Sequence, residues 1–409
     1  MNDSLFPPSE QKHLVIIGLV IPEPHSTAAG KRMMQLMELF RENHYRITFL
    51  TAAHNEAFAE NIAVEKIRLN DSRFDETIRS LKPDAVLFDR FLTEEQFGWR
   101  VRENVPHAMT LLDTEDLHFL REARRQAYLD GKPLEKQDLI NTVFKREMAS
   151  ILRCDLSLII SDFEMKLLSE HFGIDKSILL YLPLLADPEK KMPDFAKRNH
   201  FVFIGNFLHQ PNWHTVLKLK KIWPNLRKKC PDAQLHVYGA YTTDKALALH
   251  NEKEGFWIKG RCENLAETLL HAKVMLAPIP FGAGLKGKLL DSMQYGLPNV
   301  TSSIGAEGLL ASCGWNGFVE DEEENFIAKA ALLYQDEPLW KDAQSKGITI
   351  LNEKFSKEKW ASSFANSLQV LHRSLAEHRQ KNFLSQILQH HTLNATKYLS
   401  KWIEEKEKR

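Results

Sequence analysis

Short, uninterrupted apolar runs recur along this chain, and a stretch with helical spacing of apolar residues follows each of them. Examples in the first half are LVIIGLV (14–20), AVLF (85–88) and SLII (157–160). A strand that is apolar on both faces is typical of a parallel sheet covered by helices on each side. Because strands and helices alternate, the pattern predicts a doubly wound α/β fold.

The alternation stops once and then starts again, which predicts two such domains. The interruption is the polar stretch ADPEKKMPDFAKRN (186–199), and FVFIG (201–205) opens the second series. We therefore predict an N-terminal Rossmann-like domain over residues 1–183 and a second one over 184–371. A chain of 409 residues has the length for two domains of this size.

Residues 372–409 form a third segment, a tail with a stripe of apolar side chains at helical spacing. The stripe comprises Phe383, Leu384, Ile387, Leu388, Ala395, Tyr398, Leu399, Trp402 and Ile403. We predict a terminal helix that packs back on the body of the protein. A helix that lies on a membrane surface or on a partner is the alternative, although Glu404, Glu405 and Glu407 weaken the membrane case.

Composition excludes several classes of protein. The 54 basic residues are balanced by 54 acidic ones, whereas general nucleic-acid binders usually carry a basic excess. No apolar run reaches the roughly 20 residues that a membrane-spanning helix needs. The four cysteines stand far apart in the sequence, so neither a metal motif nor a disulfide framework is indicated. We predict a cytoplasmic protein for which nucleic acid is an unlikely partner.

A stretch rich in glycine and lysine, PIPFGAGLKGKLLDSMQYGLP (278–298), joins a predicted strand to a predicted helix. Ligands of open α/β sheets bind at this edge, and the free amides of a helix N-terminus favour phosphate. Glycine lets the backbone approach a ligand closely, and lysine can bond diphosphate oxygens. Asp291, one turn into the helix, could accept hydrogen bonds from a ribose diol. A glycine-rich turn without any ligand is the alternative.

Residues 201–309 resemble the donor domain of nucleotide-sugar glycosyltransferases of the GT-B type, which have two Rossmann-like domains facing each other across a cleft. The resemblance is to the large group-one, family-four set. It is carried by FVFIGNFLHQPN, PDAQLHVYG, the run from WIKGRC through the glycine loop to GLPNV, and TSSIGAEGL. It implies transfer of a sugar from a nucleotide diphospho-sugar, such as a UDP-sugar, to an acceptor hydroxyl. Retention of the anomeric configuration is also implied, and we expect no cofactor beyond the donor itself. No metal is expected, because lysines, arginines and a helix N-terminus can stabilise the diphosphate.

The resemblance also assigns donor-binding roles by position. The residues concerned are Gly205, Asn206, Ile258, Gly260, Arg261, Gly284, Leu285, Lys286, Gly287, Lys288 and Asp291. Gly205 and Asn206 would face the phosphates, the segment 258–261 would hold the base, and the glycine loop would hold the diphosphate and the sugar.

One family position is changed in this chain. Asp291 matches the second of two family glutamates, which commonly binds the ribose. Ala283 stands where the first glutamate would be. That difference leaves open how the hydroxyls of the donor sugar are held.

The first domain resembles the family less closely. In PEPHSTAAGKRMM (22–34), Gly30 and Arg32 would assist the donor phosphates, and a solvated helical turn is the alternative. Asp113 ends a predicted strand and His118 follows it. Either side chain could orient the acceptor hydroxyl, take its proton or bind the donor sugar. The alternative is that such residues cap the next helix or lie on the surface.

Other functions stay open from the sequence. A nucleotide-sugar epimerase would use the same architecture without an acceptor. A non-catalytic donor-binding or scaffold protein would have lost the chemistry, and Ala283 would be its sign. A glycan, a lipid-linked sugar or another hydroxyl compound is the expected acceptor. The basic segment KLKKIWPNLRKK (218–229) is compatible with peripheral membrane contact or, more weakly, with RNA.

Overall fold

The structure, a computed structural model, describes residues 11–23, 27–53 and 62–407. Within these residues the first half forms a parallel sheet of seven strands, in the order β3-β2-β1-β4-β5-β6-β7. Its strands are β1 (Lys12–Gly18), β2 (Tyr45–Thr51), β3 (Ala63–Lys66), β4 (Ala85–Asp89), β5 (Met109–Asp113), β6 (Leu156–Ile159) and β7 (Leu179–Tyr181).

The second half forms a parallel sheet of six strands within the same described residues, in the order β10-β9-β8-β11-β12-β13. Its strands are β8 (Asn199–Ile204), β9 (Leu235–Tyr238), β10 (Phe256–Gly260), β11 (Ala272–Ala277), β12 (Asn299–Thr301) and β13 (Gly317–Val319). This sheet has a core of its own, in which Trp223 and Trp340 are fully buried.

Helices connect the strands in both halves. The first half contains α1 (Ala28–Glu42), α2 (Arg73–Leu81), α3 (Phe91–Asn104), α4 (His118–Leu129), α5 (Thr142–Arg153) and α6 (Asp162–Lys166). The remaining helices are α7 (Gln210–Lys229), α8 (Asp244–Leu247), α9 (Leu265–His271), α10 (Gly287–Gln294), α11 (Ser303–Ala306), α12 (Glu323–Gln335), α13 (Glu337–Ile350), α14 (Lys357–Arg373), α15 (Leu375–Lys381) and α16 (Phe383–Glu407). None of the helices in the described ranges combines the length and the hydrophobicity that a bilayer-spanning segment needs.

Strand β1 shows why an uninterrupted apolar run predicts a covered sheet. Leu14 and Ile16 lie in a core cluster with residues of α1. Val15 and Ile17 lie in a different cluster with residues of α3. Since successive side chains of a strand point to opposite faces, helices cover both faces of this sheet. The predicted pair of doubly wound α/β domains is confirmed.

The chain crosses back to the first domain after the second sheet. The amide of Ala186 donates to the carbonyl of Phe355 at 2.9 Å, so the chain leaves and returns at one place. Helix α14 then contributes Phe364, Leu368 and Leu371 to a core cluster of the first domain. The predicted range 184–371 therefore contains a helix that packs on the first domain, because helical spacing does not show which sheet a helix will cover.

The tail helix α16 packs on α3 and α5 of the first domain. It does so through small side chains: Ser385 Oγ donates to the carbonyl of Arg153, and Ser400 Oγ donates to Asn70 Oδ1. Much of the apolar stripe faces solvent instead, with exposed Phe383, Leu384, Ile387, Tyr398, Leu399 and Trp402. The stripe predicted the helix, whereas the buried side chains among those described are the two serines, and Leu388 and Ile403 of the stripe are half-buried.

Candidate active site

A cavity of about 630 Å³ lies between the two domains. Its lining segments follow the carboxyl ends of strands, which is where open α/β sheets bind ligands. The segments lie after β1 (residues 27–32), β5 (115–125), β8 (204–212), β10 (262–265) and β11 (279–291). The second domain contributes the predicted glycine loop and the start of α10.

Two glycines of this loop, Gly284 and Gly287, lie in close contact with residues of the first domain. Gly284 has a φ of +62°, and a Cβ added to it would lie 2.7 Å from Cβ of Asp116. A Cβ added to Gly287 would lie 3.0 Å from Cβ of Ala28. Glycine is therefore needed here for the approach of the two domains, in addition to any approach to a ligand.

Lys286 and Lys288 line the cavity, and both ammonium groups donate to neutral oxygens. Lys286 Nζ lies 2.8 Å from the carbonyl of Gly284, and Lys288 Nζ lies 2.8 Å from Asn212 Oδ1. Burial lowers the pKa of Lys286. Burial, and then the charge of Lys286, lower the pKa of Lys288 to about 8. Two neighbouring amines with lowered pKa values, one buried and one half-buried, form a site that an anion would stabilise.

Asp291 also lines the cavity, but its carboxylate already has a cationic partner. Lys31, from α1 of the first domain, donates from Nζ to Asp291 Oδ1 at 2.6 Å. A ribose that binds Asp291 would have to share this carboxylate or displace the lysine.

The phosphate and base segments of the second domain are only partly brought to the cavity. Gly205 and Asn206 line it, and Asn206 Oδ1 accepts from the amide of Leu208. Ile258, Gly260 and Arg261 lie outside the described lining residues. Their place is taken by the next turn of the chain, which supplies Cys262, Glu263 and Leu265. These lining residues directly follow the predicted segment 258–261, whose role in holding the base stays a prediction.

Arg32 and Asp113 form a buried ion pair in the first domain. Arg32 Nε donates to both carboxylate oxygens of Asp113, at 2.8 and 3.0 Å, and Arg32 Nη1 donates to the carbonyl of Leu182. Arg32 lines the cavity, whereas Asp113 has no exposed surface and lies behind it. In this structure Asp113 therefore positions Arg32 and lies outside the described lining of the cavity.

Gly30 serves the fold of α1. Its amide donates to Thr27 Oγ1, which caps the helix. A Cβ added to Gly30 would lie 2.4 Å from backbone atoms of Glu23. The structure does not bring Gly30 to the cavity, so its small size is explained by packing.

His118 and Glu115 are two of the polar groups on the first-domain side of the cavity. His118 begins α4, and its Nδ1 atom lies 3.2 Å from Glu147 Oε1. Glu115 has a φ of +58°, a conformation that non-glycine residues rarely adopt and that often marks functional sites. Burial, and then the charge of Asp89, raise the pKa of Glu115. Its place two residues after β5 is the sequence signal that identifies it.

Helix α4 also ties the two domains together beside the cavity. Arg124 forms a bidentate ion pair with Glu307 of the second domain, at 2.8 and 2.7 Å. The same guanidinium donates to the carbonyl of Gly282 in the glycine loop. The first-domain side of the cavity is thus fixed against the loop that carries the lysines.

Comparison with known proteins supports this arrangement. Residues 198–336 match the model of the family "Glycosyl transferases group 1". No curated protein has a detectable match to the sequence. Sucrose-phosphate synthase from Thermosynechococcus elongatus is similar in structure, with a TM-score of 0.67, 13% identity, and 89% of this chain and 100% of that chain covered.

Two further solved structures are similar over their whole length. TarM has a TM-score of 0.69 at 9% identity, with 88% of this chain and 99% of that chain covered. The pneumococcal O-GlcNAc transferase GtfA, in complex with UDP and GlcNAc, has a TM-score of 0.64 at 12% identity, with 89% and 100% covered. At such identities the likeness establishes the fold, which is the predicted GT-B fold. With the matched domain family, the prediction of a glycosyltransferase is confirmed.

Proposed function

From the group 1 glycosyl transferase domain that this chain carries, we propose that the protein moves a sugar from a nucleotide diphospho-sugar to an acceptor hydroxyl. The observation that carries the proposal is the pair Lys286, which is buried, and Lys288, which is half-buried. Both amines lie at the cavity and donate to neutral oxygens. A diphosphate would supply anionic oxygens that bond both amines directly, and the N-terminus of α10 adds free amides beside them.

The donor is proposed to be a UDP-sugar, held along the second domain. The similar transferase GtfA was solved with UDP and GlcNAc, which supports this choice. Asp291 would accept hydrogen bonds from the ribose, and the segment 262–265 would lie against the base. A hexose is the proposed sugar.

The transfer breaks the bond between the anomeric carbon and a diphosphate oxygen, and the electron pair leaves with the diphosphate. A bond from the acceptor oxygen to the same carbon forms, with retention of configuration. Lys286, Lys288 and Arg32 stabilise the leaving diphosphate, so the proposed reaction needs no metal. His118 and Glu115 orient the acceptor hydroxyl and take its proton. A cytoplasmic glycan or lipid-linked sugar is the proposed acceptor.

Thermal denaturation with UDP, GDP and ADP tests the donor site. We compare the wild type with Lys286→Ala, Lys288→Ala and the control Lys245→Ala, which removes an exposed lysine of α8. A ligand at a hundred times its dissociation constant stabilises the folded state by about 2.7 kcal/mol. We expect one nucleotide to stabilise the wild type and the control, and the site variants to lose the effect.

Product analysis then separates the three functions. Release of nucleoside diphosphate that depends on an added acceptor supports a transferase. An epimer or free sugar formed without an acceptor indicates an epimerase. Binding of nucleotide-sugar with no turnover on any acceptor indicates a donor-binding scaffold.

A further inference from the structure

Glu164, in α6 of the first domain, is fully buried beside the cavity. Its Oε1 atom accepts hydrogen bonds from two backbone amides on different domains. One is the amide of Gly284 in the glycine loop, at 2.8 Å, and the other is that of Leu117, at 3.0 Å. Leu117 immediately precedes His118. One carboxyl oxygen therefore links the glycine loop of the second domain to the start of α4 in the first domain.

The region around Glu164 is a contact between the domains. Ala283, next to Gly284, belongs to a core cluster of the first domain. Lys354 of the second domain donates to Asp162 Oδ2 at 2.8 Å, at the start of α6. A Cβ added to Gly308 would lie 2.5 Å from Ser161 Oγ. The glycine loop therefore packs against the first domain, and Glu164 is a buried polar group at this contact.

The bond from Gly284 changes which groups can hold a diphosphate. An amide that donates to a buried carboxyl group is not free to donate to phosphate. Gly284 was predicted to bind the diphosphate through its backbone, and here that amide is used by Glu164. The lysines and the amides of α10 remain for the anion, and their position depends on how the loop is fixed.

We propose that Glu164 is a positioning residue of the donor site: from the first domain it fixes the glycine loop of the second, and so holds Lys286 and Lys288 in the cavity that His118 also lines. Its effect on donor binding rests on the proposed function, whereas the link between the two loops does not. The side chain acts through the backbone of Gly284 and Leu117, because Glu164 lies outside the described lining residues of the cavity.

Two substitutions distinguish the role of the hydrogen-bond acceptor of Glu164 from the role of its negative charge. Glu164→Gln keeps an oxygen that can accept both amides, and Glu164→Ala removes it. Burial, and then the charge of Asp116, raise the pKa of Glu164, so a neutral amide is close to the native side chain. Glu170→Ala is the matched control, since it removes an exposed carboxylate from the same helical segment.

The experiment measures hydrogen exchange of peptides containing Leu117 and Gly284, and UDP affinity, in the full chain. In Glu164→Ala we expect exchange to rise about tenfold in both peptides and UDP affinity to fall about tenfold, the size expected when a buried amide loses its acceptor. Glu164→Gln and Glu170→Ala should match the wild type in both measurements.

Hydrogen exchange tests the link between the two loops, and UDP affinity tests the role in donor positioning, so each part of the proposal can be contradicted on its own. If both peptides stay protected in Glu164→Ala, or only the Leu117 peptide opens, the proposed link between the loops is overturned. If both peptides open and UDP affinity is unchanged, the role in donor positioning is overturned. If the wild type binds none of UDP, GDP and ADP, the proposed function fails, and the exchange data alone decide whether Glu164 joins the loops.

Discussion

Lys31 of the first domain donates a hydrogen bond of 2.6 Å to Asp291 of the second, at the edge of the interdomain cavity. The contact pairs the carboxylate that would hold a ribose with a lysine, so ribose binding and domain contact use the same carboxylate. We expect the wild type to prefer UDP over 2′-deoxy-UDP and Asp291→Asn to lose that preference. A hydrogen bond to a charged group contributes about 1.5–3 kcal/mol, which is roughly tenfold or more in the measured dissociation constants. An unchanged preference in the variant would place the ribose elsewhere.

The affinity for a nucleoside diphosphate should depend on pH. Free Lys288 has a pKa of about 8 because of burial and of Lys286. A bound diphosphate favours the ammonium form and raises that pKa, so binding takes up a proton. Affinity should be highest below about pH 8 and fall as the pH rises through that value. Calorimetry in two buffers with different ionisation enthalpies measures the uptake. Lys288→Arg keeps its charge in this range, so its affinity should vary less with pH.

Glu164→Gln should change the pH dependence of stability. Burial raises the pKa of the Glu164 carboxyl from 4.5, and Asp116 raises it further. A group whose pKa is raised on folding stabilises the protein fully below its unfolded value, and that stabilisation is lost as the pH rises through the folded value. The wild type and the variant should therefore have similar unfolding free energies at about pH 4.5. As the pH rises from there the wild type should lose stability relative to the variant in urea titrations, and parallel curves would contradict the raised pKa.

Gly284→Ala and Gly131→Ala form a matched pair of substitutions. Both glycines have similar backbone angles, with φ of +62° and +63°. A Cβ on Gly131 meets no atom within 4 Å, whereas one on Gly284 would meet Asp116 at 2.7 Å. We expect Gly131→Ala to cost only the backbone term, about 1–2 kcal/mol. Gly284→Ala should cost more in chemical denaturation and should also weaken UDP binding, because the loop must move away from the first domain.

The buried pair Arg32–Asp113 predicts a large loss of stability when one partner is removed. Both side chains are almost inaccessible, with 2% and 0% exposed. Arg32→Ala should cost about 3–5 kcal/mol, since it leaves Asp113 buried without its partner. The double variant Arg32→Met/Asp113→Leu should recover much of that loss in the same denaturation experiment. If Asp113→Asn keeps full stability and abolishes turnover, Asp113 acts directly in the chemistry.

Sequence patterns predicted the two sheets and the position of the glycine loop because these depend on local signals. The run around Leu14 is buried on both faces, as its composition indicates. The partners across the cavity have no such signal. Glu164 and Gly284 are 120 positions apart, and Lys31 and Asp291 are 260 apart. A pair of this kind depends on how two domains approach, and a single sequence does not contain that information.

Other differences arise from the direction in which side chains point. Asp113 was correctly placed at a strand end, but it turns inward to Arg32 while Glu115 reaches the cavity. Helical spacing identified α16, yet Ser385 and Ser400 face the protein and Trp402 faces solvent. Small polar residues allow a helix to approach a surface closely. An apolar stripe therefore does not by itself show which face of a helix packs on the protein.

The second Rossmann-like unit is inserted into the first domain. The chain enters it near Ala186 and leaves it near Phe355, and a hydrogen bond joins these two points. A chimaera that exchanges donor specificity with a similar transferase would therefore need two junctions, one near each of these residues. A fusion with one junction would pair α14 to α16 with the wrong core. The recipient would also have to supply a carboxylate at the position of Glu164, because the transplanted loop brings no partner for Gly284.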